Sequence, residues 1–353
     1  MDIVISVRLC AYIKHLLPST DIRRFCWLED GIRCFSVTVF WVFVFSSKCL
    51  GAPKQQPDIK SAENLRENIA PMVVAPTPQD CESWVPTWPP AQPEALLYEM
   101  SGIVQSTLDK SLLYHITDSG NDPMIVVTDF AGKIQKKVRY RGAAWDVEAL
   151  SKGPCPWGGV CIFPGDIGDN LRWRMVKRID AVEEKSLFGG AMRAESIEFK
   201  LPEQLILDME ALAVHPLTGD IFLFSKESKG SRVFRLSARV WQKLDTVHEP
   251  EYVGEISQNM VSDAAFSRDG RRILLTATKG IFERSEEPRW KMRRVGGWYP
   301  YERDLGLPRL DQQEGVTYLD DDRSVAYSSE KKILRYKDWG IVTARCQAYK
   351  AGD

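Results

Sequence analysis

The chain is poor in histidine, with four in 353 residues, and these are scattered. That argues against a zinc centre, which wants His or Cys at short spacing, and no C-x-x-C pair is present. Excess charge is missing as well. Lys and Arg number 47 against 48 Asp and Glu, and no basic run stands out. The electrostatic case for nucleic acid is therefore absent. Helical periodicity of useful length is nearly absent. No G-x-S-x-G elbow and no recognisable Ser-His-Asp set appears, which disfavours covalent hydrolysis. What remains is a chain with 11 Trp and many short apolar runs, the composition of a dense β-rich globule.

One apolar run is longer. Phe35 to Ser47 is almost wholly apolar, short for a membrane span but suited to the apolar region of a signal peptide. Residues 1–51 are read as a signal peptide whose start is over-extended, since the apolar run begins unusually late. An uncleaved anchor or a buried strand is the competing reading. Export to the periplasm or beyond is expected, with no membrane association after cleavage. Four cysteines then remain: Cys81, Cys155, Cys161 and Cys346. In an oxidising compartment an even count points to disulfides. Cys155 and Cys161 bracket a local loop. A Cys81–Cys346 bond would tie the two ends of the folded part together.

Residues 52–94 are rich in proline and read as a linker or surface arm. Residues 95–353 are repetitive. Five motif heads fall at Ser101, Glu148, Glu210, Ser262 and Glu314, in steps of 47, 62, 52 and 52 residues. Each head opens a short apolar strand, and a second apolar strand follows. Third strands are expected at 124–128, 174–179, 232–236 and 332–336, and fourth strands at 137–140, 196–200 and 252–256. Four-stranded units at this period are the signature of an all-β propeller of antiparallel blades. Five blades are expected, with six as the alternative. The fifth unit lacks a fourth strand, which Ala95–Met100 could supply and so close the ring.

In a propeller the first strand of each blade lines the axis. The five heads then converge, three of them glutamates. Small residues follow in four repeats: Gly102, Ala149, Ala211 and Gly315. They allow close approach at a crowded axis. In the fourth repeat Asp263 follows instead, displacing the carboxylate by one place. Glu148, Glu210 and Glu314 would repel one another unless a cation joined them. Calcium, with its tolerance for many oxygen ligands, is the expected metal. Asp146 and Asp208, two residues before their glutamates, are expected as further ligands or supporting partners. For any single glutamate, an ordinary pairing with Lys or a backbone amide is the plainer reading. A second ring is expected where the second strands end, the most distinctive part being Asp166-Ile-Gly-Asp169-Asn170. That run can wrap a cation or orient a water, or it can be a plain Asx-type turn.

Several stretches resemble a group of bacterial exported β-propeller proteins over about residues 95 to 340. They are Asp118-Ser-Gly, Trp145-Asp-Val-Glu-Ala-Leu150, Asp166-Ile-Gly-Asp-Asn170, Asp208-Met-Glu-Ala-Leu212 with His215-Pro, Ser267-Arg-Asp-Gly270 and Gln313-Glu-Gly315. In architecture and axial acids the chain is also loosely similar to calcium-dependent nucleotidase, phytase-like and lactonase propellers. The fourth repeat departs from the bacterial pattern, and no nucleotidase signature is present. The resemblance implies an axial calcium and, in some relatives, hydrolysis of phosphate or lactone bonds.

Two functions follow as expectations. One is a metal-dependent hydrolase of phosphate esters or lactones. Asp166 or Asp169 would act as general base, and Lys226 would neutralise charge developing on the substrate. His115 and His215 are alternative bases. The other is a non-catalytic scaffold binding a protein, peptide or glycan, with calcium as an internal staple. In either case a monomer is expected, with a small-molecule or protein ligand at the mouth of the central channel. Trp290, Trp298, Tyr299 and Tyr301 would form a contact surface if exposed, but core packing is the stronger reading.

Overall fold

The computed structural model describes residues 80–117, 122–141, 144–331 and 338–348. The expected signal peptide lies outside the described residues, as do Asp118-Ser-Gly and the third strand expected at 332–336. The described chain is a five-bladed β-propeller without an α-helix.

It begins with β1 (Cys81–Pro86). Blade 1 is β2 (Met100–Gln105), β3 (Leu112–Thr117), β4 (Met124–Asp129) and β5 (Ile134–Arg139). Blade 2 is β6 (Val147–Pro154), β7 (Val160–Asp166), β8 (Lys177–Glu183) and β9 (Ala194–Phe199). Blade 3 holds β10 (Met209–Val214), β11 (Ile221–Ser225) and β12 (Ser231–Leu236). A two-residue β13 (Val247–His248) then adds parallel to β9, before β14 (Glu251–Ile256) completes blade 3. Blade 4 is β15 (Asp263–Phe266), β16 (Arg272–Ala277) and β17 (Gly280–Ser285), with β18 (Arg293–Arg294) outside β19 (Tyr301–Asp304). Blade 5 is β20 (Gln313–Tyr318), β21 (Ser324–Ser329) and β22 (Gly340–Ala348), and its fourth strand is β1.

The burial pattern explains the sequence pattern. β2 and β10 are buried at every residue, because an inner strand meets a neighbouring blade on each side. Continuous apolar runs replace alternation there. The outer strand β5 is largely exposed, and its Lys136 and Lys137 blunt a free edge. Five apolar clusters lie between successive blades rather than within them. Ile116 of blade 1 packs with Leu150 and Ile162 of blade 2, and Ile103 of blade 1 packs with Ala326 and Ile341 of blade 5. No blade can bury its faces alone, so the ring must close.

Closure is made differently from expectation. Ala95–Leu97 forms a single 3-10 turn, while β1 pairs antiparallel with β22. A segment joined directly to β2 is held at the inner edge of blade 1. Residues 87–99 provide the length needed to reach the outer edge of blade 5. The Pro-rich arm therefore gives up residues 81–86 to the sheet. Both cysteine pairs are disulfides: Cys81–Cys346 joins β1 to β22 with Cα atoms 5.4 Å apart, and Cys155–Cys161 closes its loop at 4.9 Å.

Candidate functional site

Four of the five inner strands share one irregularity. Pairing with the second strand slips between Met100 and Gly102, Val147 and Ala149, Met209 and Ala211, and Gln313 and Gly315. The residue skipped each time is Ser101, Glu148, Glu210 or Glu314. A bulge re-aims the extra side chain, and the small residue after it lets the next blade approach. A Cβ built on Gly102 would lie 2.7 Å from Leu150 Cβ, and one on Gly315 would lie 2.9 Å from Ile103 Cγ2. Blade 4 has no bulge. Its Asp263 is fully buried and turned into the backbone, accepting from the Ala264 and Val316 N–H groups at 2.8 Å each. Burial raises its pKa well above the carboxylate range, against those two hydrogen bonds.

Lys226 follows β11 and brings positive charge to the three glutamates. Its N–H donates to Asp208 O at 2.9 Å, and its Nζ lies 3.0 Å from Glu210 Oε2. Burial alone would lower its pKa. The charges of Glu210, Glu314 and Glu148 outweigh burial and hold the ammonium above the usual lysine range. Burial raises the Glu210 carboxyl; Lys226 opposes that shift and neighbouring Asp208 reinforces it. Ser101 Oγ donates to Glu148 Oε2 at 3.2 Å. Of the three glutamates expected to converge, Glu210 pairs directly with Lys226, and the charges of Glu314 and Glu148 act on the same ammonium. The metal fit is poor: among the described residues, no three His, Cys, Asp or Glu side chains form a group that could hold a metal ion.

The two aspartates expected to orient water have other duties. Asp166 accepts from Arg141 Nη2 at 2.8 Å and Arg174 Nη2 at 2.9 Å. It also accepts from the N–H groups of Trp145 at 3.1 Å and Asp146 at 3.0 Å. Asp169 accepts from the N–H groups of Trp173 and Arg174 at 2.9 Å each. Asp169 thus holds the backbone of its own loop four and five residues on, and Asp166 ties the loop to residues 145 and 146 and to two arginines. Asp208 Oδ1 accepts from Asp169 N–H at 2.7 Å, and Asp146 O accepts from Gly168 N–H at 3.1 Å. Both aspartates hold the 167–176 loop to the channel mouth.

Buried Lys177 was not anticipated. Its Nζ donates to Ile167 O at 2.7 Å and lies 3.8 Å from Asp169 Oδ2. Burial lowers its pKa to about 8, with Asp169, Asp208 and Asp146 opposing the shift. Arg141 was missed too, and it links Asp166 to Asp180. The one available signal was a pair of cations, Lys177 and Arg178, opening the strand KRIDAVE, in which Ile179, Ala181 and Val182 are buried. Neither histidine is placed as a base. His115 Nε2 is 2.9 Å from Thr128 Oγ1 in the core, and His215 Nδ1 accepts from the Leu217 and Thr218 N–H groups in its own turn. Trp298 and Tyr299 pack with Phe222 and Phe266 between blades 3 and 4, as the core reading expected.

At the end of the ring where the first strands begin, Trp145 and the 171–176 loop expose apolar side chains. Trp145 is 65% exposed and Trp173 59%, their rings edge to face at 6.1 Å. Leu171 at 82%, Met175 and Val176 extend the patch, and exposed Asn170 and Arg172 border it. The loop cannot fold inward, because Asp146, Glu148 and Asp208 already occupy the space beneath it.

No family model and no curated protein sequence matches the chain. Among solved structures, it is similar to an auxiliary nutrient binding protein from Bacteroides thetaiotaomicron, at 11% identity over 69% of this chain and 68% of that one, with a TM-score of 0.37. It is also similar to a gluconolactonase from Xanthomonas campestris, at 9% identity over 70% and 72%, with a TM-score of 0.40. A β-propeller domain from Myceliophteria thermophila shows 13% identity over 71% and 97%, with a TM-score of 0.36. At these scores the likenesses carry no argument about ligand or reaction.

Proposed function

We propose that the chain is an exported, non-catalytic propeller that binds an apolar, acidic segment of a partner protein at its channel mouth. The carrying observation is the exposed group of Trp145, Leu171, Trp173, Met175 and Val176 on one rim. Trp, Met and Arg are the residues that interfaces favour, and exposed apolar groups this close together mark contact sites. Arg172, and Lys229 on the neighbouring blade's loop, add exposed positive charge to the rim, which favours carboxylates on the partner. Export is supported by the apolar run at residues 35–47 and by two disulfides. Among the described residues no helix is long and apolar enough to cross a membrane.

Calcium-dependent hydrolysis has less support. It needs a cation with an open coordination place and a base with a free lone pair. Lys226 provides the axial charge, and Asp166 and Asp169 have their oxygens taken by arginine and backbone donors.

Peptide display against the immobilised chain tests the binding reading. Enrichment is expected for sequences pairing an aromatic or aliphatic anchor with Asp or Glu. Trp145→Ala/Trp173→Ala should weaken the enriched peptides at least about 30-fold, the scale of a hot-spot loss near 2 kcal/mol. Arg172→Ala should reduce the salt sensitivity of binding. No enrichment, or peptides indifferent to both tryptophans, would overturn the reading.

A further inference from the structure

Two turns at the end of the ring opposite the rim tryptophans are rich in arginine and aspartate. Residues 267–272 join β15 to β16, and residues 319–324 join β20 to β21. Each turn is held by an aspartate that accepts from its own backbone: Asp269 from the Arg271 N–H at 3.0 Å, Asp321 from the Arg323 N–H at 3.0 Å and the Ser324 N–H at 2.7 Å. The Arg268 N–H donates across to Asp322 at 3.1 Å, which fastens the turns of blades 4 and 5 together. Beside them lies a cavity of about 410 Å³, lined by four arginines, four aspartates, Trp290 and the Cys81–Cys346 disulfide. Two of the arginines are fixed by Glu283 of β17. This fully buried carboxylate accepts from Arg272 Nη1 at 3.0 Å, Arg303 Nε at 2.8 Å and the Tyr318 hydroxyl at 2.6 Å. Arg272 is only 13% exposed, yet its Nε has no hydrogen-bond partner among the described residues. Its Nη2 stands 4.0 Å from Asp322 Oδ2, and Arg289 Nη2 stands 3.6 Å from Asp80 Oδ1. Both separations exceed a hydrogen bond.

We propose that this cavity binds a neutral saccharide. A guanidinium only donates hydrogen bonds and a carboxylate only accepts them, whereas a hydroxyl does both. One sugar hydroxyl can therefore accept from Arg272 and donate to Asp322, and a second can bridge Arg289 and Asp80 in the same way. The equal numbers of arginines and aspartates among the lining residues leave no net charge there to select an anion or a cation. Their polarity sets an apolar ligand aside. Trp290 adds an aromatic wall, suited to the C–H face of a sugar ring. The volume falls within the ~300–1,000 Å³ of small-ligand sites.

The test is an array of neutral and charged saccharides probed with the full chain, followed by calorimetric titration of the hits. Neutral saccharides should bind, and the bound sugar should raise the Tm by mass action. Arg289→Ala and Trp290→Ala should each weaken the same saccharide at least about 10-fold, the scale of losing one hydrogen bond to a charged group or one aromatic contact. Unliganded Arg289→Ala should melt like wild type, since that side chain is 35% exposed. No bound saccharide, binding confined to sulfated or other charged saccharides, or an affinity indifferent to both variants would overturn the proposal. If Trp290→Ala does not fold, Arg289→Ala decides. The cavity and the rim lie at opposite ends of the ring, so a failure to bind saccharides and a failure to bind peptides are separate results.

Discussion

His115 shows what burial does to a titrating side chain. It sits on β3 with no exposure, and burial lowers its pKa to about 3. The unfolded chain protonates this histidine near pH 6.5, while the native chain resists until about pH 3. Stability from this residue is intact above pH 6.5 and is lost as pH falls from there toward 3. By pH 4.5 the loss should reach about 3 kcal/mol. Urea melts at pH 7.5 and pH 4.5 should show a smaller difference for His115→Gln than for wild type; an equal difference would refute the assignment. The axial glutamates were legible at this scale, because repeated spacing singles them out. Lys226 was legible as a residue of interest, but its ion pair with Glu210 was not. A lysine's partner depends on which strand lies opposite, and spacing along the chain does not reveal that. Lys177 and Arg141 escaped notice for the same reason.

Among elements, the bulge is the device that turns a strand head into an axial residue. It explains why a small side chain must follow. Gly102→Ala would put a methyl group within 2.7 Å of Leu150 Cβ, between blades 1 and 2. A cost of about 1–3 kcal/mol is expected, read as a lower urea midpoint with an unchanged slope. The corresponding change at the exposed loop glycine Gly189, where an added Cβ meets nothing within 4 Å, should cost far less. The sequence showed the small residues and the displaced carboxylate of the fourth repeat. It did not show that Asp263 would turn into the backbone and hold the Val316 N–H of the next blade. That outcome follows from the missing bulge, which is a property of two paired strands. The Asp166–Asn170 run was open between a ligand loop and a turn. The arginines that pair with Asp166 come from positions 141 and 174, on either side of the run.

For the whole molecule, the first described strand completes the last blade, and the Cys81–Cys346 disulfide locks that junction across 265 residues. Removing it with Cys81→Ser/Cys346→Ser should cost about 2–5 kcal/mol. It should also make residues 81–99 the first site of limited proteolysis, because β1 is then held to β22 by one ladder alone. A double variant that melts and digests like wild type would show that the strand pairing suffices. The repeats by themselves determined the all-β class and the five blades. Each blade has unsatisfied apolar faces, and only a closed ring covers them. The tertiary structure alone decided which strand closes that ring, which cation answers the acids and which tryptophans face solvent. Those outcomes depend on contacts between residues far apart in the chain, where no local spacing carries the information.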